Sequence, residues 1–270
     1  MRSGGARHAG VWRDVIGADQ AGSDSYACKR GRADFRDTVV DLRTGSRGGA
    51  PVQALAVRAI GTLTGMGLDI NVLIADWSWL GEVPPRERLL RLRQAWYADE
   101  TGLWDCDAPV VEGDWEWPRG PNSASFAVYE FRHTRGSFKA HFWAGERWES
   151  IRDHADPLVR AGLDTFLLGL VWGGLDGEAE HVDPGFFCDD PAVTYGVLLA
   201  RSPDSVRELA ATWEEVRPRL DGLRGAFDEH AAVPGGWAGD FDELTDLLGD
   251  WGRVLSEAAR RGWGLVGLSE

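Results

Sequence analysis

The sequence has 270 residues, with 43 Asp and Glu against 29 Lys and Arg, and its formal net charge is −14. This acidity argues against general binding to nucleic acid, because a polyanion would be repelled. An apolar share of 43% with 14 Trp indicates a folded protein. Three Cys in a chain of this size exclude a disulfide-dense secreted scaffold.

The first 65 residues differ in composition from the rest of the chain. They hold 10 basic residues and 6 Asp but no Glu, and 13 of the 14 Trp come after Met66. A segment of this kind buries little apolar surface, so we expect residues 1–65 to be a disordered arm. Translation that starts at Met66 is an alternative, and the arm would then not be native. The 19 basic and 37 acidic residues that follow carry a net charge of −18.

Targeting segments are not indicated by the sequence. A secretory signal needs an apolar run after its basic start, and no such run follows Met1 and Arg2. The most apolar neighbourhood, residues 52–80, is interrupted by charged side chains and is not expected to span a membrane. We therefore expect a cytoplasmic protein with free thiols.

The first half of the remaining chain predicts two strands and two helices. Apolar residues at every second position predict a half-buried strand at 68–74, and β-favouring residues predict another at 125–132. A helix is expected to begin after Gly81 and to end near Tyr97. A loop rich in Asp, Gly and Pro is expected at 99–123. Residues 137–154 favour a helix, with a β-hairpin as the alternative.

The second half carries clearer start and stop signals. Asp156 and Pro157 are typical of a helix N-terminus. The apolar run 163–172 is either the end of this helix or a buried strand. Residues 192–200 predict a strand, and Ser202 caps the helix that follows. That helix carries one apolar stripe, formed by Val206, Leu209, Ala210, Trp213 and Val216.

The last helix and the last strand complete the expected fold. Asp240 or Asp242 begins the helix, and Gly262 ends it. Its apolar face consists of Leu244, Leu247, Leu248, Trp251, Leu255 and Ala258. Residues 263–268 predict a strand. Long helices with few strands predict one α+β domain over residues 66–270, with several amphipathic helices and a small mixed β-sheet.

Five features of the C-terminal half occur in a particular order. They are the Lys-aromatic segment Lys139–Trp143, the glycine pair Gly173-Gly174, Tyr195-Gly196, the segment Ser202–Leu209, and the helix end Ala258–Gly262 before an apolar strand. In this order, residues 137–270 resemble the YfbM-like family of bacterial proteins of unknown function. The resemblance implies a small α+β cytoplasmic protein and brings no catalytic residues.

The pattern Asp-Trp-x-Trp occurs twice, as Asp76-Trp77-Ser78-Trp79 and as Asp114-Trp115-Glu116-Trp117. In an extended segment, residues two apart share a face, so each pair would present two indoles beside a carboxylate. Such a surface suits a sugar, a cationic ligand or a partner protein. The alternative is that the indoles pack into the core, where large aromatic side chains are mostly buried.

Acid–base chemistry has one candidate group. His133, His141 and His154 fall near Glu146 and Glu149, and these side chains would serve as general acids and bases if they converged. Ordinary surface or hydrogen-bonded histidines are the alternative. His141 and Glu146 are the members we assign to the site.

Other candidates point away from metal and cofactor chemistry. The acidic loop 176–183 lacks the Gly and the closing Glu of an EF-hand, so a solvated loop is favoured over a calcium site. Cys106 and Cys188 adjoin carboxylates, which disfavour the thiolate. The Arg run at 86–93 is a patch that binds a phosphate or an acidic partner, or it is a solvated face. No zinc, Walker or dinucleotide motif occurs, and no cofactor is expected.

Three functions therefore stay open. The first is an interaction protein whose acidity attracts a basic protein, as inhibitor or immunity-type proteins do. The second is a small-molecule or carbohydrate-binding module, or a hydrolase, that uses the Trp-rich loop with His141 and Glu146. The third is a subunit of a larger assembly. An enzyme is the less favoured class, because no catalytic motif is present.

Overall fold

A computed structural model of the chain describes residues 69–97, 109–119, 124–134, 136–175 and 180–269. The predicted arm 1–65, the alternative start Met66 and the thiol of Cys106 lie outside these ranges.

Six strands form one sheet in the described part of the chain. They are β1 (Ile70–Ala75), β2 (Val110–Glu112), β3 (Trp115–Trp117), β4 (Phe126–Tyr129), β5 (Val197–Arg201) and β6 (Gly264–Ser269). Their order is β2-β3-β4-β1-β6-β5, and every neighbouring pair is antiparallel. The α+β class is confirmed, but the sheet is not mixed as we predicted. Sequence periodicity identifies strands without indicating the direction in which they pair.

The central strand β1 is buried on both faces, although its alternation predicted a half-buried strand. Val72 and Ile74 belong to one apolar cluster, and Leu73 and Ala75 belong to another on the opposite face. Helices cover both faces of the sheet and therefore remove water from both sides of β1. Asn71 is the only residue of the strand that is not fully buried.

Seven helices form the two outer layers among the described residues. The smaller layer contains α1 (Trp77–Gly81) and α2 (Pro85–Tyr97). The larger layer contains α3 (Phe138–Ile151), α4 (Pro157–Leu168), α5 (Pro203–Val216), α6 (Arg224–His230) and α7 (Phe241–Arg261). None of these helices combines the length and apolarity that crossing a bilayer requires.

The predicted helix ends are confirmed by local hydrogen bonds. The carboxylate of Asp156 accepts from the backbone of Leu158 at 2.8 Å, which satisfies a free donor of the first turn of α4. The hydroxyl of Ser202 and the carboxylate of Asp240 cap α5 and α7 in the same way. Gly262 ends α7 with φ of 70°, a left-handed conformation that favours glycine.

The predicted apolar stripes of α5 and α7 are also confirmed, and every member is buried. The two helices are in close contact where Trp213 of α5 meets Gly252 of α7. A Cβ atom at position 252 would lie 2.0 Å from the indole nitrogen of Trp213, so only glycine fits there. This contact places α5 and α7 side by side in the larger layer.

Two predicted elements differ from the structure, and the structure decides between the two alternatives of a third. The predicted loop 99–123 contains a hairpin of β2 and β3, which turns at Gly113 with φ of 63°. Its strands are three residues long, so turn-forming residues dominate the local composition. The strand expected at 192–200 begins only at Val197. In the run 163–172, α4 ends at Leu168 and a turn follows, so the helix alternative is confirmed.

Candidate functional site

The first tryptophan pair is helical, so the extended platform expected there is wrong. Asp76 caps α1 by accepting hydrogen bonds from the backbone and the hydroxyl of Ser78, at 2.8 and 2.6 Å. Residues two apart on a helix lie about 200° apart around the axis. Trp77 and Trp79 therefore point in different directions. The capping bond stabilises this helical form, and the partners of the two indoles in the fold select it.

Each indole of this first pair has its own packing partner. Trp77 stacks on Phe186 with ring centroids 4.2 Å apart. Trp79 stacks on Phe126 at 6.2 Å, and the guanidinium of Arg91 lies 4.7 Å from its ring centroid. These contacts attach α1 to the sheet and to α2.

The second pair is extended, as expected. Trp115 and Trp117 lie two residues apart on β3, and their ring centroids are 5.6 Å apart. Both are half-buried, and both pack against the main apolar cluster. Tyr129 meets Trp115 edge-on at 4.9 Å, and the guanidinium of Arg261 lies 4.1 Å from the ring centroid of Trp117. The two indoles share a face, and that face is partly covered by the protein itself.

A buried polar cluster adjoins this face. The hydroxyl of Tyr129 donates to Asp250 at 2.8 Å and accepts from Arg253 at 3.1 Å. Arg253 also forms an ion pair with Asp250. Asp114, a predicted site residue, lies 3.4 Å from the same hydroxyl and pairs with Arg132 at 2.9 Å. The cluster links β3, β4 and α7.

Sequence reasoning missed Asp250. Its side chain is only 2% exposed, and burial raises its pKa above the ordinary value although Tyr129 and Arg253 stabilise the carboxylate. A signal was available, because Asp250 falls between Leu247 and Val254 at the spacing of the buried stripe. A carboxylate on such a stripe indicates an internal partner.

His141 is fully buried rather than placed at a surface site. Its Nδ1 accepts a hydrogen bond from the indole of Trp251 at 3.1 Å, so the proton of the neutral ring is on Nε2. Burial lowers the pKa of His141 to about 3. Glu146, five residues later, lies about 140° away around the axis of α3. The helix therefore does not bring these two side chains together.

The neighbouring histidine and glutamate of the predicted acid–base group are engaged elsewhere. His154 stacks on His230 with ring centroids 4.1 Å apart. Glu149 accepts a hydrogen bond from the indole of Trp172 at 2.7 Å. Neither contact orients these side chains toward His141.

The acidic loop 176–183 is described only from residue 180 on. Within that part, Asp183 accepts hydrogen bonds from Arg201, from the backbone of Ser202 and from the hydroxyl of Ser205, at 2.6 to 2.8 Å. Its oxygens are thus occupied by the protein. Among the residues that the structure describes, no three His, Cys, Asp or Glu side chains are placed to hold a metal ion.

The outer surface of the larger helical layer is strongly acidic. Residues 202–249 contain eleven acidic residues and four Arg, and all eleven acidic residues are exposed. The acids are Asp204, Glu208, Glu214, Glu215, Asp221, Asp228, Glu229, Asp240, Asp242, Glu243 and Asp246. We call this surface, residues 202–249, the acidic layer.

Three of these carboxylates lie around one guanidinium. Arg224, the first residue of α6, donates to Asp242 near the start of α7 at 2.7 Å. This hydrogen bond, together with the charges of Asp242, Asp221 and Asp228, raises the pKa of Arg224. One cation balances only one of the three acids, so this junction of α6 and α7 carries an excess of two negative charges.

Comparison with known proteins adds no relative: no family model, no curated protein and no solved structure matches this chain. The resemblance to the YfbM-like family stays a prediction.

Proposed function

We propose that this protein binds a basic protein through the acidic layer, in the manner of an inhibitor or immunity-type protein. The observation that carries the proposal is the gathering of Asp221, Asp228 and Asp242 around the single cation of Arg224. An uncompensated cluster of exposed carboxylates attracts Lys and Arg side chains and accelerates encounter with a cationic surface.

The arrangement of the helices supports the same proposal. The acids stand on packed elements of one layer, where the close contact of Trp213 with Gly252 fixes α5 against α7. Asp242 and Asp246 are four residues apart on α7 and therefore share a face. A rigid surface loses little entropy on binding, which favours its use as an interface.

The carbohydrate or hydrolase alternative receives less support. It depended on His141, which is buried and neutral, and on indoles that are open to a ligand. Trp115 and Trp117 lie side by side, but Arg261 covers Trp117 and Tyr129 meets Trp115. The proposal also includes a cytoplasmic location, in keeping with the free thiol of Cys188.

The test compares two variants of equal net charge. Asp221→Asn, Asp228→Asn and Asp246→Asn together neutralise the acidic layer and leave the ion pair of Arg224 intact. The control neutralises three exposed acids on other elements, Glu87→Gln, Glu112→Gln and Asp189→Asn. Each variant, and the original protein, is immobilised and exposed to lysate of the cell that produces it.

We expect the original protein and the control to capture the same basic protein. The acidic-layer variant should associate with it on the order of tenfold more slowly, and added salt should reduce the association rate steeply. Equal association rates for the two variants, or a rate that does not change with salt, would contradict the proposal.

A further inference from the structure

Arg147 is a charged side chain that the fold buries without an ion-pair partner among the described residues. It lies on α3 and is 9% exposed, and its Nε atom has no hydrogen bond. Among the described residues no carboxylate forms an ion pair with it, and the one acid whose charge acts on it is its neighbour Glu146. A buried charge without an ion pair loses hydration that nothing replaces, so the position of Arg147 calls for a reason beyond packing.

The surroundings hold the guanidinium in place. It lies 5.2 Å from the ring centroid of Trp143, one turn earlier on α3. On another side is the segment 233–239, where a Cβ atom at Gly236 would lie 3.4 Å from Nη2 of Arg147. A cation–π contact of this kind is weaker than the hydration that a buried guanidinium loses. Nε lies in the buried part of the side chain, and 9% of the surface of Arg147 stays exposed.

The segment beside Arg147 is itself strained. Backbone hydrogen bonds from Val233 to Gly239 at 2.9 Å and from Gly236 to Val233 at 3.1 Å close it into a compact loop. Within it, Ala238 has φ of 48°, and it is the only residue other than glycine with positive φ in the described ranges. Such a conformation is unfavourable for a residue with a Cβ atom. An unpaired charge and a strained loop in contact are typical of a functional site.

We propose that Arg147 and the loop 233–239 form a binding site for a small organic carboxylate. The guanidinium presents parallel N–H donors that match the two oxygens of a carboxylate. A carboxylate would supply the missing charge partner of Arg147, and the indole of Trp143 would provide apolar surface beside it. A singly charged ligand is favoured over phosphate, because the net charge of −14 opposes each additional negative charge.

The test titrates the full chain with acetate, benzoate, benzamide and inorganic phosphate at constant ionic strength. The measured signal is the 1H–15N resonance of the Arg147 Nε–H group, assigned by its absence from Arg147→Met. We expect benzoate and acetate to shift this resonance saturably and the neutral benzamide to leave it unchanged. In the variants, which lack this group, binding is followed by the indole 1H–15N resonance of Trp143, which lies beside the guanidinium. Arg147→Lys, which keeps the charge but loses the paired donors, should bind benzoate on the order of tenfold more weakly.

Arg219→Met is the matched control, because Arg219 is an exposed arginine and its loss changes the net charge equally. It should bind benzoate as the original protein does. Tighter binding of phosphate than of benzoate would overturn the carboxylate assignment. A resonance that no anion moves, or unchanged benzoate affinity in folded Arg147→Met, would overturn the site. If Arg147→Met does not fold, unchanged affinity in Arg147→Lys has the same consequence.

Discussion

The contact between α5 and α7 predicts that alanine at position 252 destabilises the protein. A Cβ atom there would lie 2.0, 2.4 and 2.6 Å from three atoms of the Trp213 indole. The indole is fixed by stacking on Phe166 at 5.1 Å, so the helices must separate by about 1 Å or more to reach an ordinary contact distance. Overpacking of this kind costs about 1–3 kcal/mol, and the higher helix propensity of alanine returns up to about 1 kcal/mol.

We therefore expect Gly252→Ala to lower the free energy of unfolding by about 1–2 kcal/mol, measured by urea denaturation. Gly249→Ala is the matched control on the same helix, because a Cβ atom at position 249 meets no atom within 4 Å. In the control, the higher helix propensity of alanine should raise the free energy of unfolding by up to about 1 kcal/mol. Equal stability of the two variants would show that Trp213 does not press against α7, and the reasoning would fail.

Three further predictions concern buried or strained groups. Because burial holds the pKa of His141 at about 3, below the ordinary 6.5, the unfolded chain binds a proton that the folded chain does not. The free energy of unfolding therefore does not depend on this group above pH 6.5 and falls by about 1.4 kcal/mol per pH unit between pH 6.5 and about 3. His141→Gln should remove this part of the pH dependence, measured by urea denaturation at several pH values. An unchanged pH dependence would contradict the burial argument. Tyr129→Phe removes one hydrogen-bond donor from Asp250 and should lower the free energy of unfolding by about 1–3 kcal/mol in the same assay. A decrease below about 0.5 kcal/mol would mean that Arg253 alone satisfies the carboxylate. Gly262→Ala should lower the melting temperature through a cost of about 1 kcal/mol, because φ there is 70°; an unchanged melting temperature would show that the helix end relaxes without strain.

The long helices and their ends were predictable because their signals are local. An apolar stripe repeats over many residues, and a cap such as Asp240 is bonded to a residue three positions away. These patterns depend little on the rest of the fold. The same is true of Gly262, whose place after a long stripe indicated a left-handed helix end.

The two Asp-Trp-x-Trp segments show where local patterns fail. The first is a capped helix and the second a short strand, although the four-residue pattern is the same. The difference comes from neighbours in space. Trp77 packs on Phe186, more than a hundred residues later, whereas β3 pairs with β2 across the turn at Gly113 and with β4 on its other side. A pattern of four residues carries no information about such partners.

The role of a charged residue on a buried helix face also depends on which side chain lies opposite to it in the fold. Arg147 falls seven residues after Ala140 and three after Ala144 on the buried stripe of α3, so the sequence did place a charge on an apolar face. It did not indicate whether a carboxylate lies opposite. For Asp250 the opposite side chain is Tyr129, while Arg147 forms no ion pair with a carboxylate of the described residues and its Nε atom has no hydrogen bond. Only the fold separates these two cases.

The position of β6 has a consequence for synthesis of the chain. Strands β1 to β4 can pair as soon as they leave the ribosome, but β6 lies between β1 and β5 and includes Ser269, which pairs with Ile70 from about 200 residues earlier. Until residues 264–269 emerge, one edge of the central strand and the inner edge of β5 have no strand to pair with. Exposed apolar edges of this kind favour association between nascent chains. We infer that the fold is completed late, in one step that joins the two halves of the sheet.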